Sequence, residues 1–349
     1  MASKLAYRVF WIDCLKAIAI IAMITLHVSA VGLSETTVGS FQWQIANLFN
    51  SCCRFCVPVF VMISGALMMD NTKPVGKYIR RLVRSLLFWV AAYALYIQVP
   101  DIVSSHRFDI ISYLKNLFAS THLWFLWMII ALYLSVPIFR TFIYDANKKL
   151  GGVICWLLIL WFVFSILIPA LIHLPIIGEP LDSVVHQTHF ALAIQYGGYF
   201  LLGHYLVKSH NSLFERYAMF YLIIGILATV LGTLLISVEK GHTSELFYDY
   251  FFPTTFLSSI GVFLLIKKWF TNRTPSKVVQ VFMRFIAICS LGIYAVHMFF
   301  LVAFHHVGLT CVKYNAFVAI PVITIICLAL SCLVAYCLKK YLPFGKSVI

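Results

Sequence analysis

The chain has 349 residues, of which 62% are hydrophobic and only 11% are charged, and its formal net charge is +14. Soluble domains are about 45–50% apolar and about 25% charged, so this composition leaves too few charges for a water-exposed surface. The 30 Phe and 18 Tyr residues exclude a disordered chain, and the length excludes a small disulfide-stabilised scaffold. The composition therefore indicates a polytopic membrane protein, in which lipid covers the apolar surface.

Apolar segments recur along the whole chain, each close to the roughly 20 residues that a transmembrane helix needs. Ten such segments are predicted: 17–33, 41–69, 85–100, 122–139, 153–172, 190–207, 217–238, 250–266, 285–304 and 316–338. These segments are continuously apolar, whereas the strands of a membrane barrel alternate between apolar and polar residues. We therefore expect an all-α, polytopic integral membrane protein with about ten transmembrane helices, forming a single domain over residues 1–349.

The distribution of cations predicts how the helices are oriented. Ten spans place both termini on the same side, and if that side is the cytoplasm, the inner segments contain 20 of the 26 Lys and Arg residues. The outer loops then contain only Arg107, Lys115, Lys240 and Lys313. This asymmetry follows the positive-inside rule and predicts cytoplasmic termini. Because the cations are spread over six inner segments, they do not indicate nucleic-acid binding.

Three ionisable residues lie on one stripe of the first predicted helix. Asp13 and Lys16 are three residues apart, and His27 follows Lys16 by eleven positions. Eleven helical residues return to the same face and rise about 16 Å, so His27 is expected above Lys16 and well inside the membrane. Asp13 and Lys16 are close enough to form an ion pair. The pattern suits a ligand that enters from the cytoplasm and reaches an imidazole, although a structural, hydrogen-bonded histidine remains an alternative.

Arg54 lies in the second predicted span, four residues before Pro58. An arginine in this position must face the protein interior or a wet cavity and pair with an anion or with carbonyl groups. The proline bends a helix and frees backbone carbonyls, so the guanidinium has either a binding role or a structural role.

Four cations share one helix face at the inner start of the third span. Lys77, Arg80, Arg81 and Arg84 follow the spacing i, i+3, i+4 and i+7. Four cations on one face suit a polyphosphate, with lipid headgroups as the rival ligand.

Two further motifs combine histidines with aromatic residues. His122 and Trp124 begin the fourth span at the outer surface, where tryptophan either belongs to an aromatic belt or stacks on a sugar ring. His297 lies deep in the ninth span, where a buried structural histidine and a site residue are comparable interpretations. The histidines at 173, 186 and 189 show no metal-ligand spacing, and Cys52, Cys53 and Cys56 suit small packing residues, so no metal is expected.

These motifs resemble, in the same order, those of the membrane acyltransferase 3 family, whose members are ten-span, acyl-CoA-dependent O-acyltransferases. The resemblance rests on Asp13-x-x-Lys16 with His27, on Arg54-x-x-x-Pro58 and on the basic start of the third span. The stretches that begin at His122, Tyr199 and Ser290 continue it nearly to the end of the chain. Lys16 departs from the commoner arginine, which keeps the charge but loses the bidentate fork. Within the family, the chain resembles the short members without an outer domain, such as the O-acetyltransferase of the enterobacterial common antigen.

The resemblance implies transfer of an acetyl group from cytoplasmic acetyl-CoA to a hydroxyl of a surface glycan or its lipid-linked precursor, at the inner (plasma) membrane. Acetyl-CoA is then a cosubstrate, and its phosphates are expected on Lys77, Arg80, Arg81 and Arg84, with Lys16 at the mouth of the pore. His27 is expected to act as general base or transient acyl carrier, with Asp13 orienting Lys16.

The resemblance assigns the remaining candidates to the acceptor or to the oxyanion: Arg54, His122, Trp124 and His297. A transporter or exporter of a glycan is the main alternative, since intramembrane His and Arg also suit a permeation path. A structural subunit of a glycan synthase is a third interpretation. The sequence leaves the acceptor sugar and the oligomeric state open.

Overall fold

A computed structural model describes residues 2–70, 74–117, 121–144, 150–173, 195–208, 212–271, 273, 275–342 and 345. These residues form helices and connecting turns, and no strand occurs among them. The helices, in chain order, are α1 (Ala2–Glu35), α2 (Phe41–Cys53), α3 (Cys56–Met68), α4 (Gly76–Ser105), α5 (Ile110–Asn116), α6 (Trp124–Tyr144), α7 (Leu150–Phe162), α8 (Ile168–Leu171), α9 (Gln195–Lys208), α10 (Ser212–Arg216), α11 (Ala218–Lys240), α12 (Pro253–Thr271), α13 (Lys277–His306) and α14 (Ala316–Tyr341).

The prediction of an all-α polytopic membrane protein is confirmed. In the described part of the chain, nine helical segments are long and apolar enough to cross a membrane, and each overlaps a predicted span. The other predicted span, 190–207, is represented by α9, because residues 190–194 lie outside the described residues. The predicted loop histidines at 186 and 189 also lie outside them. The span predicted at 153–172 contains a π-helical turn, Val163–Leu167, between α7 and α8.

The second predicted span is not one continuous helix. A turn at Arg54 and Phe55 separates α2 from α3. Pro58 has no backbone N–H and therefore cannot bond to the carbonyl of Arg54, four residues earlier. The helix resumes at once, since the Val59 amide donates to the Phe55 carbonyl over 3.0 Å. The predicted bend is therefore a break, and it places the side chain of Arg54 at a helix terminus.

Several helices extend beyond the apolar segments that predicted them. α4 begins at Gly76, and α13 begins at Lys277, so the basic residues before both spans are helical. Membrane-spanning segments need apolar residues only within the hydrocarbon, and a helix continues into the headgroup region with charged side chains. Hydropathy therefore locates the spans but underestimates the helices.

The first helix is the centre of the bundle. α1 packs against α2, α3, α12, α13 and α14. Its side chains are buried on all sides over the middle of the helix, for instance Leu15, Ile20 and Ile24, none of which is exposed. A helix that is apolar all round is buried all round, and the polar residues of α1 are consequently held inside the protein.

The closest helix crossing involves α3 and α9. A Cβ atom added to Gly65 would overlap the carbonyl of Phe200, and one added to Gly203 would overlap the carbonyl of Met62. Membrane helices that approach this closely use small residues, because lipid provides no hydrophobic drive for their association. The two glycines thus bring the backbones of α3 and α9 together beside the candidate site.

Candidate active site

A cavity of about 510 Å³ runs through the bundle between α1, α3, α4, α6 and α13. Lys16, Arg81 and Lys339 line one part of its wall, which we name the basic end. His27 and His122 line another part, which we name the histidine end. Lys16 and His27 are eleven residues apart on α1, so the two ends lie about 16 Å apart along the helix axis. One cavity therefore joins a cluster of cations to half-buried imidazoles.

Asp13 also lines this cavity, and its charge is balanced from a second helix. Its carboxylate lies 3.9 Å from Nε of Arg284 on α13. Lys16 is within electrostatic reach of Asp13. Of the two cations, Lys16 has the larger electrostatic effect on the Asp13 carboxylate, and Arg284 comes within ion-pair distance of it. Asp13 is therefore shared between α1 and α13, and the ammonium of Lys16 forms part of the cavity wall.

The four cations of α4 do not share one environment. Arg81 lines the cavity together with Tyr78 and Leu82, whereas the cavity wall does not include the other three cations, which are exposed as Arg81 is: Lys77, Arg80 and Arg84. Successive helical residues are rotated by about 100° around the helix axis. Of the four cations, Arg81 is therefore the closest in angle to Tyr78 and Leu82, which face the cavity. The Arg80 guanidinium instead donates to the Gly76 carbonyl over 3.4 Å.

Three histidines meet at the histidine end: His27 on α1, His297 on α13 and His122 in the 3-10 turn Thr121–Leu123 that precedes α6. The rings of His27 and His297 have centroids 5.2 Å apart, and those of His122 and His297 are 6.2 Å apart. His297 is fully buried, and its Nδ1 lies 2.6 Å from the carbonyl of Tyr294. The Nε2 atoms of His122 and His297 are buried and have no hydrogen-bond partner among the described residues. Buried polar atoms are normally satisfied, so these two are candidates for contact with a ligand.

Two tyrosines hold the histidine end in place. The hydroxyl of Tyr294, on α13, donates to the backbone carbonyl of His122. The ring of Tyr93, on α4, packs edge-on against the imidazole of His122 with centroids 4.3 Å apart. The Tyr93 hydroxyl donates to the Ala295 carbonyl over 2.8 Å, which joins α4 to α13. One tyrosine therefore holds the backbone of His122 and the other contacts its imidazole.

Trp124 and Trp127, which open α6 together, face different surroundings. Trp124 lines the cavity and lies nearly parallel to the ring of Tyr250, with centroids 6.3 Å apart. The Tyr250 carbonyl accepts a hydrogen bond of 2.6 Å from the hydroxyl of Tyr199, on α9. Trp127 is 56% exposed and is not among the cavity residues, so the aromatic-belt interpretation suits Trp127, whereas Trp124 belongs to the site.

Arg54 is bound by groups of the protein. Its Nε donates to Oδ1 of Asn50 over 2.7 Å, and a terminal nitrogen donates to the Tyr248 carbonyl over 3.2 Å. The guanidinium also lies 3.9 Å above the ring of Tyr248. Arg54 is absent from the cavity wall, although Cys56 and Val57 are part of it. These contacts favour the structural interpretation, in which Arg54 joins the helix break to the segment that presents Tyr250.

Several residues of the site were not predicted from the sequence. Lys339 directly follows the last predicted span. From the sequence alone, nothing separates it from the other cations of the inner segments. Arg284 and Tyr250 reach the site from segments far from α1 in the sequence. Tyr294 had a signal, since it precedes His297 by three residues and therefore lies one helical turn away.

The described residues include no group of three or more His, Cys, Asp or Glu side chains arranged to hold a metal ion. All ten cysteines are free thiols, and Cys53 and Cys56 are buried.

Comparison with known proteins identifies the family to which the chain belongs. No curated protein and no solved structure matches the chain. A family model described as an acyltransferase domain matches residues 9–336, which is nearly the whole chain and includes every site residue that the sequence predicted, although not Lys339. The chain therefore belongs to the acyltransferase 3 family and is a membrane acyltransferase.

Proposed function

We propose that this protein transfers an acetyl group from cytoplasmic acetyl-CoA to a hydroxyl of a cell-surface glycan or its lipid-linked precursor, at the inner (plasma) membrane. The observation that supports the proposal is the single cavity that joins the basic end to the histidine end. A CoA thioester has its phosphates at one extremity and its reactive carbonyl at the other, joined by a long narrow arm. The cavity has the same order of features.

The donor phosphates bind at the basic end in this proposal. Lys16, Arg81 and Lys339 come from three different helices and converge on one part of the cavity wall. Charge-assisted hydrogen bonds from Arg and Lys to phosphate are short and about twice as strong as neutral ones. Lys77, Arg80 and Arg84 lie outside the wall and add to the field that attracts a polyanion.

The chemistry takes place at the histidine end. The acceptor oxygen attacks the thioester carbonyl, a C–O bond forms and the C–S bond breaks. A neutral imidazole of His27 takes the proton of the hydroxyl and returns it to the CoA sulfur, which leaves as the thiol. The Nε2 atom of His122, buried and unpartnered, is suited to donate a hydrogen bond to the developing oxyanion when it carries the proton. His297 supports this pair of imidazoles, and Trp124 lines the cavity beside them.

Alternative mechanisms and functions use the same cavity. His27 can instead carry the acetyl group transiently, which also requires an imidazole at the end of the donor arm. A glycan transporter would use the cavity as a permeation path and need no CoA ester. The order of the sequence motifs, which resembles that of the short O-acetyltransferases such as that of the enterobacterial common antigen, favours the acetyl group and the glycan acceptor.

The first test replaces the proposed catalytic residue. Inverted membrane vesicles that contain the protein are given radiolabelled acetyl-CoA, and label is measured in the extracted glycan fraction. We expect His27→Ala to reduce transfer by about 10²–10⁴-fold, because general acid–base catalysis contributes that much. His242→Ala, which removes an exposed histidine outside the cavity, is the matched control and should transfer at the parent rate.

Full transfer by His27→Ala would exclude the catalytic assignment. Uptake of glycan that needs no CoA ester, together with no label transfer, would establish the transporter instead.

A further inference from the structure

Besides the cavity, two further pockets lie on the side of His27 that is away from the basic end. A pocket of about 340 Å³ surrounds the turn that joins α13 to α14 and is lined by Glu35, His305, His306, Thr310 and Lys313. We name it the outer vestibule. A narrower pocket of about 30 Å³ shares His305 and Thr310 with the vestibule and is also lined by His27.

We infer that the outer vestibule binds the acceptor glycan and that the narrow pocket admits its hydroxyl group to His27. The inference rests on the proposed function. His27 is the one residue that the narrow pocket and the donor cavity have in common among the lining residues of the described chain. The same imidazole is therefore accessible from two pockets, one leading to the basic end and the other to the outer vestibule.

The two volumes suit the two parts of a sugar acceptor. A volume of about 30 Å³ is close to that of a single water molecule, so the narrow pocket accommodates one hydroxyl and excludes a ring. The vestibule falls within the roughly 300–1,000 Å³ typical of small-ligand pockets. Glu35 and His27 are eight residues apart on α1, which is about 12 Å along the axis. The vestibule therefore begins about two helical turns from the imidazole, and the narrow pocket lies between them.

The chemistry of the vestibule suits a polyhydroxylated ligand. Oε1 of Glu35 lies 2.9 Å from Nε2 of His305, and both side chains remain about half exposed, at 43% and 54%. Hydroxyl groups bind well to such ionised or ionisable partners, because they both donate and accept. His306 and Lys313 add further polar groups to the same wall. The vestibule thus offers acceptors and donors around one opening.

The shape of the vestibule depends on the turn after α13. Gly308 adopts a left-handed conformation, with φ of 74°. The amide of Leu309 then donates to the Phe304 carbonyl over 2.8 Å, and the amide of Gly308 donates to the His305 carbonyl over 3.0 Å. Glycine adopts this conformation without strain. The reversal brings Lys313 against Gly308 and closes one side of the vestibule.

The test blocks the outer vestibule from outside while leaving the donor cavity untouched. Thr310→Cys places a thiol at the boundary between the vestibule and the narrow pocket. Right-side-out vesicles loaded with radiolabelled acetyl-CoA are treated with a membrane-impermeant, negatively charged methanethiosulfonate, and label is measured in the glycan fraction. We expect transfer to fall to the level of His27→Ala and to recover when dithiothreitol removes the reagent. Acetyl-CoA binding by the purified variant should not change.

Two controls are treated in parallel. Ser34→Cys adds an exposed thiol one residue from Glu35, outside the residues that line either pocket, and should keep its activity after labelling. The parent protein reports on Cys311, a buried residue that lines the narrow pocket, and should also keep its activity.

Thr310→Cys that is labelled from outside, as shown by mass spectrometry, yet still transfers at the parent rate would overturn the inference. The acceptor would then reach His27 from the Trp124 side of the cavity, and the proposed function would stand. Absence of His27-dependent transfer in the untreated parent would overturn the proposed function itself.

Discussion

The α4 cations show how far a shared helix face determines shared function. Lys77, Arg80, Arg81 and Arg84 lie within one arc of the helix, but only Arg81 among them lines the cavity in the described chain. The cavity faces the side of α4 that carries Tyr78 and Leu82, so it meets the edge of the basic arc rather than its centre. The spacing predicted that the four cations share one face, whereas the packing of α4 determines which of them lines the cavity.

This difference leads to a prediction about donor binding. Arg81→Gln should weaken acetyl-CoA binding by about tenfold or more, because a hydrogen bond to a charged group contributes about 1.5–3 kcal/mol. Arg80→Gln removes the same charge from the same helix but outside the cavity wall, and it should change the affinity by less than about fivefold, since surface charges contribute up to about 1 kcal/mol. Isothermal titration calorimetry on the purified variants in nanodiscs measures both.

Equal losses for the two variants would indicate that the phosphates bind along the exposed face of α4. No loss for either would assign these cations to lipid headgroups and membrane orientation.

The sequence-based predictions agree best with the structure for residues on the same helix, α1, and least for contacts between different helices. The 3.6-residue period was sufficient to place Asp13, Lys16 and His27 on one stripe, and all three line the cavity. The ion pair of Asp13 with Arg284 and the contact of His27 with His297 join residues about 270 positions apart, which helical periodicity does not connect. The roles of these residues stay predictions until the variants are measured.

At the scale of whole helices, the packing of α3 against α9 explains why glycine occupies two positions for which the sequence alone offered no reason. Gly65 and Gly203 each face a backbone carbonyl of the other helix. α3 contributes Cys56 and Phe60 to the cavity wall, and α9 contributes Tyr199, which bonds to the Tyr250 carbonyl. The close crossing therefore fixes the distance between two walls of the site.

Gly203→Ala should destabilise the protein through this crossing. The added methyl would overlap the Met62 carbonyl, which is backbone and cannot move without shifting α3. Overpacking of this kind typically costs about 1–3 kcal/mol. We expect a lower midpoint of thermal unfolding in detergent, measured by tryptophan fluorescence.

Gly76→Ala is the control, because a Cβ at Gly76 meets no atom within 4 Å. An unchanged midpoint for Gly203→Ala would mean that the two helices are free to separate, and the close crossing would lose its structural importance.

The break between α2 and α3 shows which part of an element is predictable. Pro58 indicates a disturbance of the helix, and the lost bond to the Arg54 carbonyl locates it. The sequence does not reveal that Tyr248, 194 residues away, accepts a hydrogen bond from Arg54 and lies beneath its guanidinium. The proline therefore predicts that the helix bends near Arg54. The contact with Tyr248 determines which segment the bent region is joined to.

For the whole molecule, composition was sufficient to predict the fold class, because the scarcity of charges leaves lipid as the surrounding solvent. α11 illustrates this, with Leu227, Leu231 and Leu235 each more than half exposed. The cavity itself was not predictable, since its walls come from segments distributed over most of the chain. Only the expectation of a path from Lys16 to His27 anticipated it.

The orientation of the molecule remains a prediction, and the proposed chemistry depends on it. Twenty of the 26 Lys and Arg residues lie in the predicted inner segments, and such a bias sets membrane topology. The basic end must face the cytoplasm, because acetyl-CoA is present there and not outside. Ser34 and Gly76 are exposed residues near opposite ends of the bundle, which makes them suitable reporters.

We expect a membrane-impermeant maleimide to label Ser34→Cys in intact right-side-out vesicles and to label Gly76→Cys only after permeabilisation. The parent protein controls for its own thiols, which are buried or half-buried. Labelling is measured by mass spectrometry of the purified protein. The reverse pattern would place Lys16, Arg81 and Lys339 on the outer side, where they meet no acetyl-CoA. Both the proposed donor path and the outer vestibule would then be wrong, since each depends on which end of α1 faces the cytoplasm.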